Sequence, residues 1–487
     1  MGENLPAITP FGIAGLDDIL QGGLTAGQVY LLSGLPGTGK TTFSLQFIAE
    51  GIRRGERCLY ISVGGSGEEF VALAGTAGVF PDPELFSLHS VQISKEVLEG
   101  PEQRIFHPAE TEPAGLISDL LTQVKRINPV RLVIDSLSDL RLLAEDVIGF
   151  RRLVLAMRME FSDRKATVLL TNTMGPSEID THLETICHGV IRLEQVVRGY
   201  GPIRRRLLVL KVRGRPYRSG WHDFRILTGG IEVFPALVAG EHRQRVLAEL
   251  LSSGNQQLDI LFGGGVDRGT TIAVIGAAGT GKTTLLTQYA VAAANRGEHV
   301  AIYLFEESEE SFRERARGLE LGVDDLIDRR LLTLRKVDVA EFSIGEFTAI
   351  LRQEVEAKGA QMVAIDTLSG FANAMQDDAY LVIQLHELLT YLCLRNVTTL
   401  VAIEQHGVFG SDVAHLKDIS YLADSILLLR FFEHRGEIRR AISVVKKRKG
   451  RHELTIRELR ITDRGLAIGE PLKDMQGVLT GVPVLAR

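Results

Sequence analysis

The stretch VYLLSGLPGTGKTTF (Val29 to Phe43) joins an unbroken apolar run, a glycine-rich turn and the start of a helix-period segment. An apolar run that does not alternate reads as a strand buried on both faces. The turn satisfies G-x-x-x-x-G-K-[ST] between that strand and that helix, the context in which the pattern carries meaning. Gly34, Gly37 and Gly39, with Thr38, let consecutive backbone N–H groups form a concave nest at a helix N-terminus, where phosphate oxygens are held. Lys40 is placed to reach the outer phosphates, Thr41 to offer a hydroxyl to Mg²⁺, and Thr42 completes the motif.

Working outward, the same stretch returns 242 residues later as TIAVIGAAGTGKTTL (Thr271 to Leu285), with Gly276, Gly279, Thr280, Gly281, Lys282, Thr283 and Thr284 in the matching places. Two matches at corresponding positions of a repeat remove the reading of a chance glycine-rich turn. The repeat extends upstream, where LDDILQGGLTAGQ (from Leu16) meets LDILFGGGVDRGT (from Leu258), and downstream, where RLVIDSLSDL (from Arg131) meets MVAIDTLSGF (from Met362). Near the end of each copy, LLVLKVRGR (from Leu207) answers ISVVKKRKGR (from Ile442). A duplication of this period means two copies of one domain, expected at 1–238 and 239–487. Within each copy, β-runs alternate with helix-period segments. The expected fold is therefore α/β, two tandem P-loop NTPase domains, each a mainly parallel sheet flanked by helices.

Composition agrees with a folded two-domain chain: 487 residues, 45% hydrophobic, 24% charged, net charge -6. The acidic balance argues against a protein that coats nucleic acid, and no basic, aromatic-interleaved loop points to single strands. No basic leader precedes an apolar run and no span of about 18 apolar residues occurs, so a cytoplasmic location without membrane partners is expected. Cys58, Cys187 and Cys393 are far apart and read as buried small hydrophobes.

Asp135 and Asp366 each close an apolar strand, LVID and VAID, where a carboxylate can hold Mg²⁺ together with Thr41 or Thr283. Hydrolysis also needs a base or water-positioning group. Glu306 and Glu307, ending the strand after the second P-loop helix, are the candidates. Under the 242-residue shift their counterparts are Gly64 and Gly65, which cannot move a proton. Glu68 and Glu69 follow closely but read as helix surface.

Two P-loop halves, FEES after the second, LADSILLLR and the closing KKRKGRHELTIREL resemble the KaiC-type ATPases of circadian clocks, a branch of the RecA/RadA superfamily, over nearly the whole chain. That resemblance implies RecA-like domains, ATP and Mg²⁺ as ligands, and a homo-oligomer, a double-ring hexamer with nucleotide between neighbouring subunits. It further implies slow ATPase activity and regulatory protein partners. The family's catalytic pair falls on Glu306 and Glu307. Its in-trans Lys-x-Arg element falls on Lys211 and Arg213 in one copy and on Lys446 and Arg448 in the other, while Lys447 and Lys449 read as a solvated basic turn. Glu404 to His406 are placed to sense the γ-phosphate. The family's adjacent phosphoacceptors fall on Ser420 and Tyr421, so a serine autokinase acting on Ser420 is an alternative reading. A RadA-like DNA-dependent recombination ATPase is another, and the acidic balance weighs against it.

Overall fold

The structure is a computed structural model and describes residues 7–65, 67–76, 82–91, 113–141, 147–174, 178–197, 201–242, 249–338, 340–368, 381–405, 422–463, 465–478 and 484–485. The chain forms two compact units, Met1–Ala236 and Leu237–Arg487. Each builds a nine-stranded sheet from its described residues.

In the first unit the sheet strands in chain order are β1 (Val29–Gly34), β2 (Cys58–Val63), β3 (Phe86–Val91), β4 (Arg131–Asp135), β5 (Thr167–Thr173), β6 (Gly189–Val196), β7 (Arg204–Val212), β8 (Trp221–Leu227) and β9 (Gly230–Phe234). In the second they are β10 (Thr271–Gly276), β11 (Val300–Leu304), β12 (Leu332–Lys336), β13 (Met362–Asp366), β14 (Thr398–Glu404), β15 (Ser425–His434), β16 (Glu437–Lys447), β17 (Arg457–Thr462) and β18 (Gly465–Pro471). The spatial order is β3-β2-β4-β5-β1-β6-β7-β8-β9, and the second sheet repeats it strand for strand. The first six strands of that order pair in parallel and the last three antiparallel. The expected mainly parallel sheet is therefore observed in both units.

The reason the strands read as unbroken apolar runs is visible in β1. Tyr30 and Leu32 enter one core and Val29 and Leu31 the other, so both faces are covered. The P-loop helices, α1 (Lys40–Arg53) and α2 (Lys282–Asn295), lie on one face. In α1, Phe43 and Phe47 lie four residues apart and pack against Phe11, with Phe43 also meeting Phe224 edge to face. In α2 the buried positions include Ala290, Ala293 and Ala294, small residues that suit close helix–sheet packing.

The two cores differ at one pair of positions that the repeat aligns. Arg131 opens β4 with its side chain fully buried, and Met362 opens β13 in the same place. Arg131 pairs with Glu56 at 2.5 Å, donates from Nη1 to the carbonyls of Pro10 (2.8 Å) and Phe47 (2.9 Å), and lies over the Phe47 ring. Gly51 makes the room: a Cβ there would stand 2.6 Å from the arginine Cδ. The second unit has Ala293 at that helix position and an apolar partner beneath it.

Cys58 and Cys187 are buried as expected, and burial pushes both thiols up to about 12. Cys393 departs from the expectation. It lies in the last turn of the helix Leu381–Leu394 and is only partly covered. No described helix is long and apolar enough to cross a membrane.

Candidate functional site

Both P-loops end a central strand and open a helix through a glycine in the left-handed region: φ is 99° at Gly39 and 105° at Gly281. A side chain at Gly39 would be doubly penalised, because its Cβ would also stand 2.7 Å from Ile226. Thr38 and Thr280 brace the loops by donating to the carbonyls of Leu35 and Ala277, each at 2.8 Å. Lys40 donates to the carbonyls of Gly34 (2.9 Å) and Leu35 (3.1 Å). Lys282 does the same to Gly276 (3.0 Å) and Ala277 (2.9 Å). Burial lowers the pKa of both lysines; Asp135 opposes this for Lys40, and Glu404, Asp366 and Glu306 oppose it for Lys282. A phosphate can thus replace weak carbonyl partners with a charged one.

The strand-end aspartates meet their P-loop threonines. The Thr41 hydroxyl donates to Asp135 at 2.9 Å, and the Thr283 hydroxyl donates to Asp366. A hydroxyl oriented by a carboxylate turns its lone pairs outward, which is the donor set a hard cation takes alongside phosphate oxygens. These residues fit Mg²⁺ on that chemistry. Burial raises the pKa of Asp366, against the Thr283 bond and the nearby Arg315 and Lys282 cations. In both units the peptide bond after the aspartate is cis.

The glutamate pair splits. Glu306 is exposed and close enough to Lys282 to act on its charge. Glu307 is engaged elsewhere: Oε1 accepts from Arg315 at 2.6 Å and from Ser311 at 2.8 Å, both on α3 (Glu309–Gly318). In the first unit, Gly64 has φ 77° and donates to the Val91 carbonyl at 2.9 Å, so the chain leaves β2 towards β3. In the second, Glu306 takes the place of Gly64 without a positive φ, and the end of β11 bonds to both neighbours: the Phe305 N–H donates to the Asp366 carbonyl and the Val337 N–H to the Leu304 carbonyl, each at 2.8 Å. Glu68 lies exposed on the helix Gly67–Thr76, as expected.

The two Lys-x-Arg elements lie at the other end of the sheet from their own P-loops. Arg213 bonds to His188, which is level with Val29 at the start of β1. Arg448 bonds to Asp424, level with Thr271 at the start of β10. The P-loop glycines Gly34 and Gly276 end those strands, roughly 16 Å away. A Lys or Arg side chain cannot span that distance to a phosphate in its own unit. Lys446 donates to the Ala423 carbonyl at 2.7 Å and Arg448 pairs with Asp424 at 3.1 Å, while Arg213 donates to the Thr185 carbonyl at 2.8 Å. Burial, then Arg213, lowers the pKa of Lys211.

Lys447 is a correction. Its side chain is only 4% exposed, and its ammonium donates to the carbonyls of Phe262 (2.6 Å) and Gly265 (3.1 Å), so it ties a strand end to a turn. Lys449 is exposed, as a basic turn requires. Glu404 ends β14 and Gln405 is buried, with its backbone N–H donating to the Gly276 carbonyl at 3.1 Å. His406, Ser420 and Tyr421 lie outside the described residues.

The structure adds residues that pattern reading missed. Arg440 donates to the Gly279 carbonyl at 3.1 Å and lies over Phe431, which faces Gly279. Tyr60 and Thr171 both donate to Asp135, each at 2.6 Å. Burial, then Asp135, holds the Tyr60 phenol well above its ordinary pKa. A tyrosine inside an apolar run carries no sequence signal that its hydroxyl meets a carboxylate far along the chain.

With this geometry in place, the model of the KaiC ATPases matches residues 9–238 and again residues 251–473. The chain belongs to the KaiC ATPase family. The circadian clock oscillator protein KaiC of Thermostichus vulcanus is 28% identical over 484 residues, covering 97% of this chain and 91% of that protein. That of Synechococcus elongatus is 27% identical over 483 residues with the same coverage. The circadian clock protein KaiC3 of Synechocystis is 27% identical over 481 residues, covering 97% of this chain and 94% of that protein. Each KaiC repeat coincides with one of the two RecA-like sheets and carries one P-loop.

Proposed function

We propose that this KaiC-family protein is a slow Mg²⁺-dependent ATPase and a nucleotide-driven switch of circadian type. Hydrolysis resides mainly in the second unit, and the first unit holds nucleotide and supports assembly. The observation that carries the reading is the unequal equipment of two otherwise matched sites. Each has a P-loop lysine and a threonine–aspartate pair, but among the described residues only the second has glutamates, Glu404 and Glu306, in the field of its lysine, and of these Glu306 aligns with a glycine of the first unit. Glu306 serves as the base or water-positioning group there. The position of Lys211, Arg213, Lys446 and Arg448 supports action in trans: cations too far from their own P-loop are useful to a nucleotide held by a neighbour, where they neutralise charge developing on the γ-phosphate. Turnover then depends on a homo-oligomer, a hexamer by family precedent. The relatives' names as clock proteins support a regulatory role read by protein partners.

The test is ATP turnover with intact-mass detection of phosphate on the protein, for the parent and for Glu306→Gln/Glu307→Gln. The double variant is expected to lose turnover while both units still bind ATP. Undiminished turnover would mean that the first unit supplies another base and would overturn the assignment.

A further inference from the structure

The two strand-end aspartates are held differently, and the difference arises outside the P-loops. Oδ2 of Asp135 accepts from Thr41 at 2.9 Å and from Tyr60 at 2.6 Å, and Oδ1 accepts from Thr171 at 2.6 Å. An ionised carboxylate offers about four acceptor directions, so the protein itself uses most of them. Tyr60 sits on β2 opposite Val133, and its counterpart on β11, opposite Ala364, is Ile302. Thr171 sits on β5 opposite Leu32, and its counterpart on β14, opposite Val274, is Ala402. Neither Ile302 nor Ala402 carries a hydroxyl. Asp366 therefore keeps the threonine bond of the motif but lacks both added donors.

The charge around the two lysines differs in the same sense. Lys282 lies in the field of Glu404, Asp366 and Glu306, whereas Lys40 lies in that of Asp135. A polyphosphate entering the second unit meets several carboxylates, and a divalent cation is what reconciles the two sets of negative charge. In the first unit, among the described residues, one carboxylate acts on the lysine, and its charge is already spread over hydroxyl hydrogens.

We propose that Tyr60 and Thr171 relieve nucleotide binding in the first unit of its need for a divalent cation, whereas the second unit holds a nucleoside di- or triphosphate only with Mg²⁺. The proposal rests on the reading of both P-loops as nucleotide sites. The two hydroxyls act as positioning groups on Asp135 and touch no phosphate. Its consequence is a ring-supporting unit that keeps its nucleotide when free Mg²⁺ falls, beside a hydrolytic unit that releases it.

The experiment uses the full-length chain with one P-loop disabled at a time: Lys282→Ala leaves the first unit working and Lys40→Ala the second. N-methylanthraniloyl-ADP is titrated into each, with Mg²⁺ and with excess EDTA. The first unit is expected to change affinity by less than about threefold between the two conditions, and the second to lose at least about tenfold in EDTA. Adding Tyr60→Phe and Thr171→Val to the Lys282→Ala chain is expected to bring in a dependence of about tenfold, since each change keeps the buried shape and removes only a hydroxyl. The readout is a ratio within one variant, so a general loss of stability does not mimic it. Equal metal dependence of the two units, or a ratio untouched by the hydroxyl deletions, overturns the proposal. Absence of binding by either chain even with Mg²⁺ overturns the nucleotide reading itself, and this proposal with it.

Discussion

The two units share strand order, pairing register and P-loop geometry, yet the ends of β2 and β11 part company. After β2 the backbone turns through Gly64 at positive φ; after β11 the matching residue, Glu306, is not at positive φ and sits in a bend over residues 305–307. The contrast teaches that the glycines of the first unit do more than omit two carboxylates. Gly64 takes a positive φ that Glu306 does not share, so the first site is remodelled rather than only deprived of a base. The same lesson holds one layer deeper, where an arginine threaded past Gly51 in one core is a methionine in the other.

This comparison can be broken most sharply at Glu306. Glu306→Gln alone is expected to lower ATP turnover about a thousandfold, and Glu307→Gln far less, because Glu307 is already bonded to Arg315 and Ser311. Steady-state phosphate release checks both, and equal losses would show that Arg315 lets go of Glu307 during turnover.

Next in size is the exchange of cores. Arg131→Met, which gives the first unit the residue of the second, is expected to cost about 3 kcal/mol, since Glu56 and the carbonyls of Pro10 and Phe47 lose a buried partner. Urea unfolding reads it, and a neutral result would mean that the ion pair only offsets its own desolvation.

A smaller effect sharpens the backbone contrast. Gly64→Ala meets nothing within 4 Å, so its expected cost of about 1 kcal/mol is conformational strain alone, again read by urea unfolding. The absence of any cost would show that the turn rearranges freely. Last, Arg315→Met releases Glu307 and is expected to raise turnover about threefold, the scale of one part-exposed ion pair. A tenfold fall instead would make Arg315 a group that positions the site.

Much of this is legible in the sequence. Glycine spacing, the 242-residue repeat and strand-terminal aspartates are local signals, because a phosphate nest and a buried parallel strand each impose their pattern within a few consecutive residues. Lys447 was misread as solvated because a run of basic residues looks alike whether its ammonium groups meet water or carbonyls. Its partners, Phe262 and Gly265, lie some 180 positions away in sequence.

The sequence by itself determined that there are two P-loop domains, where each phosphate cradle lies and that one copy lacks the glutamates, since each of these depends on residue type at fixed short spacing. Only the tertiary structure decided that Glu307 is tied to Arg315, that Tyr60 and Thr171 hold Asp135, and that the Lys-x-Arg elements stand a full strand length from their own P-loops. Those facts depend on which strands become neighbours and on which end of the sheet a residue sits. A hydroxyl or a cation carries no mark of that until the sheet has brought its partner alongside.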